Sequence, residues 1–182
     1  MKYKVLFTVA IIATFLLSAE LNVGDNINSF MTKDDSGQMW HSDSTNSDYL
    51  VVYFYPAAMT FGCTKQACSY RDNQSQFADL NAEIVGISGD EVEALQVFKK
   101  AHDLNFTLLS DSKGLIAETF GVPYSDGGEI KKTVDDQDVI LKRGVTTKRW
   151  TFVLDKSGKI IYKNAGVNPL ADAKKVLKEL QK

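Results

Sequence analysis

The sequence predicts a single three-layer α/β domain, on three observations. Two short runs rich in β-branched and aromatic residues, 51–55 and 84–87, read as strands buried on both faces. Around them apolar residues recur at helical spacing, so strands and helices alternate. An antiparallel hairpin and a helix then close the chain. Composition agrees: 44% hydrophobic and 24% charged residues, with 12 Gly and 3 Pro in 182, exclude collagen-like, low-complexity and disordered chains.

Each element follows from its residues. Positions 20–48 are polar and punctuated by Gly24, Asp25, Asp34, Asp35 and Gly37, a loop-rich lead-in with room for one hairpin. Val51-Val52-Tyr53-Phe54-Tyr55 is a strand stopped by Pro56, and Ile84-Val85-Gly86-Ile87 is a second. Tyr70, Asn73, Phe77 and Leu80 mark a helix between them, and such a crossover implies parallel pairing. A further helix fits Glu91 to Asp103, with Val92, Leu95, Phe98 and His102 along one stripe, followed by a short strand from Phe106 to Leu109. Leu115 to Phe120 reads as a short helix closed by Gly121 in a left-handed cap. Thr151–Leu154 and Lys159–Tyr162 flank the turn residues Asp155 to Gly158. The last helix takes Asn168 as N-cap and Pro169 as its first residue, burying Leu170, Ala173, Val176, Leu177 and Leu180. Gly127-Gly128 reads as a turn, and 131–148 receives no assignment.

Lys2 and Lys4 precede an apolar stretch from Val5 to Leu17, followed by Ser18, Ala19 and the charged Glu20. That order of charge, apolar core and small residues is that of a secretory signal peptide, giving a leader 1–19 and a domain 20–182. An uncleaved N-terminal anchor is the alternative. The expectation is an exported, periplasmic or secreted protein without stable membrane association after cleavage, in a compartment where disulfides persist. Removing Lys2 and Lys4 takes the formal charge from −2 to −4. An acidic surface argues against general nucleic-acid binding.

The chemistry concentrates in Pro56-Ala57-Ala58-Met59-Thr60-Phe61-Gly62-Cys63-Thr64-Lys65-Gln66-Ala67-Cys68. A core strand ends at Pro56, a loop follows, and a helix begins near Cys63. Helix N-termini favour anions, and cysteines there have pKa values lowered from about 8.5 into the range of roughly 3.5 to 7.5. Cys68 lies five residues on. On one helix that spacing gives a rise of about 7.5 Å and a rotation of about 140°, beyond disulfide reach unless the intervening turn unwinds. The spacing suggests a reactive pair; a structural bridge in a non-helical loop is the other reading.

Pro56, Thr60 and Cys63 reproduce the PxxxTxxC pattern of the peroxiredoxins, and Cys68 resembles the second cysteine of the atypical two-cysteine subgroup called bacterioferritin comigratory protein or peroxiredoxin Q. Supporting segments run from about Leu21 to Lys182: Val23-Gly24-Asp25, Gly86-Ile87-Ser88, Leu108-Leu109-Ser110-Asp111, and Arg149-Trp150-Thr151-Phe152-Val153-Leu154-Asp155. Phe61 stands where many relatives have Pro, and Asn28 where an opening Pro is usual. The resemblance implies a thioredoxin-like α/β/α sandwich with a mixed central sheet. It implies a peroxidase acting on hydrogen peroxide and organic hydroperoxides, without metal or organic cofactor, as a monomer or weak dimer. Cys63 would be oxidised to sulfenic acid, Thr60 and Arg149 would orient thiolate and peroxide, Pro56 would shield the sulfur, and Cys68 would close an intramolecular disulfide. A thioredoxin-like dithiol would reset it.

Two other functions belong beside this one. A general thiol-disulfide oxidoreductase usually carries CxxC, and the four residues between these cysteines count against it. A non-catalytic domain stapled by Cys63 and Cys68 is the third. His41 and His102 are isolated and make no zinc pattern with two cysteines. Trp40 and Trp150 read as packing residues, and Arg71 as either a second positive charge near the cysteines or an exposed helix residue.

Overall fold

The computed structural model describes residues 21–182; the expected leader lies outside them. The central sheet has five strands: β3 (Tyr49–Phe54), β4 (Ala82–Ser88), β5 (Thr107–Ser110), β8 (Thr151–Asp155) and β9 (Ile160–Asn164). Their order is β5-β4-β3-β8-β9, with β3, β4 and β5 parallel and β8 antiparallel to both neighbours. The sheet is therefore mixed, and β3 lies at its centre. Residues Val51 to Tyr55 are fully buried, as a strand covered on both faces requires.

Alternation along β3 sends side chains to two cores. Val51, Tyr53 and Tyr55 meet α1 (Phe61–Asp72), α2 (Gln74–Asp79), α3 (Val92–Ala101) and α5 (Asp172–Leu180). Leu50, Val52 and Phe54 face α4 (Leu115–Thr119) and the lead-in, where Ile27 and Phe30 pack beside Trp40. Trp150 packs on the same side, so both tryptophans are packing residues. Helices thus cover both faces, giving the three layers expected. The lead-in carries one small hairpin, β1 (Met31–Lys33) with β2 (Met39–His41).

Four local expectations need correction. The helix after the cysteines breaks at Asn73, whose side chain donates to the Ser69 carbonyl at 2.7 Å, so α1 and α2 are separate. The last helix begins at Asp172. Asn168 instead accepts the Leu170 N–H at 3.0 Å in a turn before it, and Leu170 is exposed. A side chain that caps so locally favours a turn over continued helix. Gly127-Gly128 lies inside a strand: β6 (Tyr124–Val134) and β7 (Gln137–Thr147) form a long hairpin covering the segment that had no assignment. A Cβ at Gly127 would stand 2.0 Å from the Arg143 carbonyl oxygen, so Gly127 serves a close approach of backbones. The reversal is made by Asp135 and Asp136, both at positive φ (51° and 60°), as hairpin turns of the primed type require. Gly121, at φ 65°, closes α4 as expected.

The topology brings the chemistry to one edge. The C-terminal ends of β3 and β4 and the start of β8 share an edge of the sheet, since Tyr53 is opposite both Gly86 and Thr151. The chain leaves β3 there into the cysteine loop, and Arg149 enters β8 there. Ligand sites of open α/β sheets lie at such strand ends.

Candidate active site

Cys63 is the third residue of α1 and buried, with Thr60 as the extended residue before the helix. Helices leave their first N–H groups without intrahelical acceptors, so the sulfur sits among unpaired donors and at the positive end of the dipole. A guanidinium completes the setting: Arg149 Nη2 donates to Cys63 Sγ at 3.1 Å. Gly62 lies beside the same group: a Cβ there would stand 3.4 Å from that nitrogen, in ordinary contact with it. Sulfur and arginine come from positions 86 residues apart, joined by the pairing of β3 with β8.

The other nitrogen of the fork leads inward. Arg149 Nη1 donates to Gln66 Oε1 at 2.5 Å, and Gln66 Nε2 donates to Asp172 Oδ2 at 2.7 Å. The same carboxylate oxygen accepts the Tyr70 hydroxyl at 2.8 Å and the Thr151 hydroxyl at 2.7 Å. Gln66, Tyr70, Thr151 and Asp172 are all fully buried. Burial pushes the Asp172 carboxyl above its ordinary range, while bonds from Thr151, Tyr70 and Gln66 pull it back down. Tyr70 is pushed well above the usual tyrosine range by burial and by Asp172, so its hydroxyl stays a donor. Its ring stacks on Tyr53 with centroids 4.8 Å apart, and Gly86 clears the space for Tyr53.

A second buried carboxylate shapes the loop. Asp90 Oδ2 accepts the Ala58 N–H and the Ser88 hydroxyl, each at 2.7 Å. Burial raises this carboxyl as well. The next residue, Met59, has φ 58°, a left-handed conformation that a residue with a side chain adopts at a cost. Thr60 then donates its hydroxyl to the Ala57 carbonyl at 2.9 Å, which leaves its oxygen's lone pairs as acceptors. Pro56, half-buried, ends β3 at the base of this loop, where Thr147 donates to the Tyr55 carbonyl at 3.0 Å.

Of the residues singled out in the sequence, Cys63 and Arg149 are in contact, and Thr60 and Pro56 belong to the loop that delivers the sulfur. Cys68 is half-buried farther along the same helix, and both thiols are free. A continuous α1 separates their Cα atoms by roughly 8 to 9 Å. Arg71 is tied to Asp72 and donates to the His102 carbonyl at 2.5 Å, which fastens the end of α1 to the loop after α3. Sequence reasoning missed Gln66, Asp172 and Asp90. Gln66 had a usable signal: it lies one turn from Cys63, on the face that must point inward.

Comparison with known proteins gives the family and the fold. The AhpC/TSA family profile matches residues 23–163. "Peroxiredoxin Q, chloroplastic" of Populus jackii is 40% identical over 148 residues, 80% of this chain and 62% of that protein. The chain thus spans about six-tenths of that relative's length. "Peroxiredoxin Bcp" of Bacillus subtilis (strain 168) is 35% identical over 141 residues, 78% of this chain and 83% of that one. The crystal structure of peroxidoxin BcpB from Mycobacterium tuberculosis superposes with a TM-score of 0.73 at 33% identity, covering 87% of this chain and 96% of that one. The fold is therefore the thioredoxin-like one, and the chain belongs to the AhpC/TSA family, on its peroxiredoxin Q/Bcp branch.

Proposed function

We propose that the protein is a thiol peroxidase in which Cys63 reduces hydroperoxides. The observation that carries the reading is a buried sulfur in the first turn of α1 with a guanidinium nitrogen 3.1 Å away. Arginine stays protonated and offers several donors in a fixed fork, so it holds both the thiolate and the peroxide oxygens. The Cys63 thiolate attacks one oxygen of ROOH, the O–O bond breaks, and the leaving oxygen takes a proton to become ROH. Cys63 is then a sulfenic acid. Negative charge spreads over both oxygens in the transition state, where donors fixed in advance act most strongly. Arg149 and the Cys63 N–H supply donors. The Thr60 oxygen, its own proton engaged by Ala57, accepts the peroxide O–H. Pro56 limits water at the sulfur.

Resolution follows through Cys68. Its thiolate displaces the hydroxyl of the sulfenic acid, a Cys63–Cys68 bond forms and water leaves, after the turn between them has unwound. A thioredoxin-like dithiol then reduces the disulfide by exchange and becomes oxidised itself. With 1–19 as an export leader, as the order of Lys2, Lys4, the apolar run and Ser18-Ala19 supports, the enzyme is 20–182 and meets its reductant outside the cytoplasm.

The test is peroxide consumption by the reduced protein. One equivalent is consumed rapidly, Cys63→Ser abolishes the reaction, and Cys68→Ser retains it while accumulating sulfenic acid. Insulin reduction without peroxide consumption would replace this reading with a general oxidoreductase; inertness in both assays would replace it with a stapled domain.

A further inference from the structure

The buried carboxylate beneath the site is unexplained by the two-cysteine chemistry alone. Asp172 comes from the first residue of α5, and three donors from two other elements converge on its Oδ2. Burying an acidic group is unfavourable unless its bonds accomplish something. One of those bonds decides the orientation of its neighbour. An amide has two chemically different ends, and Gln66 spends one on Asp172 and the other on Arg149. A carboxylate accepts and does not donate, so the Gln66 NH₂ must face it and the carbonyl oxygen must face Arg149. The reversed amide would set donor against donor at the guanidinium and oxygen against oxygen at Asp172. The acid and the guanidinium therefore fix the polarity of the relay from both ends, and the acid anchors the end away from the sulfur.

The same bonds fasten α1. Gln66 lies between Cys63 and Cys68, and Tyr70 lies two residues beyond Cys68. Both point at Asp172 from one helical face, as their spacing of four dictates. Joining the two cysteines requires the turn holding Gln66 to unwind, and that breaks its bond to Asp172 and loosens the one from Tyr70.

We infer that Asp172 is a positioning residue: through Gln66 it holds Arg149 against the Cys63 sulfur, and through Gln66 and Tyr70 it keeps α1 wound against closure of the Cys63–Cys68 bond. The inference rests on the peroxidase reading. It gives one residue opposite effects on the two chemical steps, favouring attack on peroxide and retarding condensation of the sulfenic acid with Cys68.

Stopped-flow fluorescence of the reduced full-length protein mixed with hydrogen peroxide separates the steps, the first phase depending on peroxide concentration and the second not. Asp172→Asn keeps the volume but offers a donor as well as an acceptor, so the Gln66 amide loses the charged acceptor that anchors its NH₂ and is directed by Arg149 alone. It should slow the first phase about tenfold, the scale of a small misplacement at a reacting centre, and speed the second about threefold. Gln66→Met should do the same, and adding Asp172→Asn to it should change the first phase less than twofold, because the two act in series. Tyr70→Phe should speed the second phase and carries that arm should Asp172→Asn fail to fold. If Asp172→Asn slows the first phase equally in the native and Gln66→Met backgrounds, or if neither Gln66→Met nor Tyr70→Phe speeds the second phase, Asp172 has no such role. A native protein inert to peroxide would instead overturn the peroxidase reading itself.

Discussion

The two faces of the central sheet are both buried and differently used. Beneath α4, Phe30, Phe54, Phe120 and Phe152 meet edge to face, with Phe120 5.0 to 5.4 Å from each of the other three ring centroids. At the margin of that cluster the buried Asp111 accepts the Ile116 and Ala117 N–H groups at the start of α4. Across the sheet, β3 puts Val51, Tyr53 and Tyr55 against helices that also bury Cys63, Gln66 and Asp172. The apolar face supplies stability, and the other face exchanges part of that stability for a fixed arrangement of polar groups around one sulfur. Substitutions on the two faces should therefore fail in different ways.

The largest effect on stability belongs to the apolar face. Phe120→Ala should cost about 3 to 5 kcal/mol, read by denaturant unfolding, while the molecules still folded react with peroxide at the native rate. An equal loss in the reactivity of the folded fraction would break the distinction. Arg149→Ala should do the reverse, slowing the peroxide reaction by about 10² to 10³ with a midpoint of unfolding little changed, since it removes a charge-stabilising donor at a half-buried position. Between the two lies Asp90→Ala. It strands the Ala58 N–H and the Ser88 hydroxyl, so a cost of about 1 to 3 kcal/mol is expected, together with slower peroxide reaction as Met59 relaxes from its left-handed conformation.

The smallest effect is a slope. Burial raises Asp172 above the ordinary carboxylate range, so folding favours its protonated form and the native state loses stability as pH rises from that range through the raised value. Asp172→Asn lacks that group. Its stability relative to the native protein should increase with pH across this interval, measured by unfolding at several pH values. A difference that does not vary with pH would mean Asp172 titrates alike folded and unfolded.

The contrast also marks what was legible in the sequence. Strands β3, β4 and β8 announce themselves because a doubly covered strand must be a continuous apolar run, and the PxxxTxxC segment with Cys68 announces the site because its spacing is rare. The partners of the buried polar network are not legible, since Gln66 and Asp172 lie 106 residues apart and each alone looks like a surface residue on a helix. The β6–β7 hairpin escaped for a different reason. It is largely exposed, its residues carry no strict alternation, and its turn is Asp135-Asp136 rather than the Gly-Gly pair that drew attention. Helix α5 began late because Asn168 closes a turn of its own before the helix can start.

The claim on which the rest depends is that one of two thiols on the same helix is made reactive by its place beside Arg149. Peptide mapping by mass spectrometry, after the reduced protein has received less than one equivalent of hydrogen peroxide and been quenched in milliseconds with a sulfenic-acid trap, tests it directly. The oxidised sulfur should be Cys63 in essentially every modified molecule, with Cys68 appearing afterwards only in the disulfide. Oxidation of Cys68 first, or of both thiols at the rate of a free cysteine, would contradict the account.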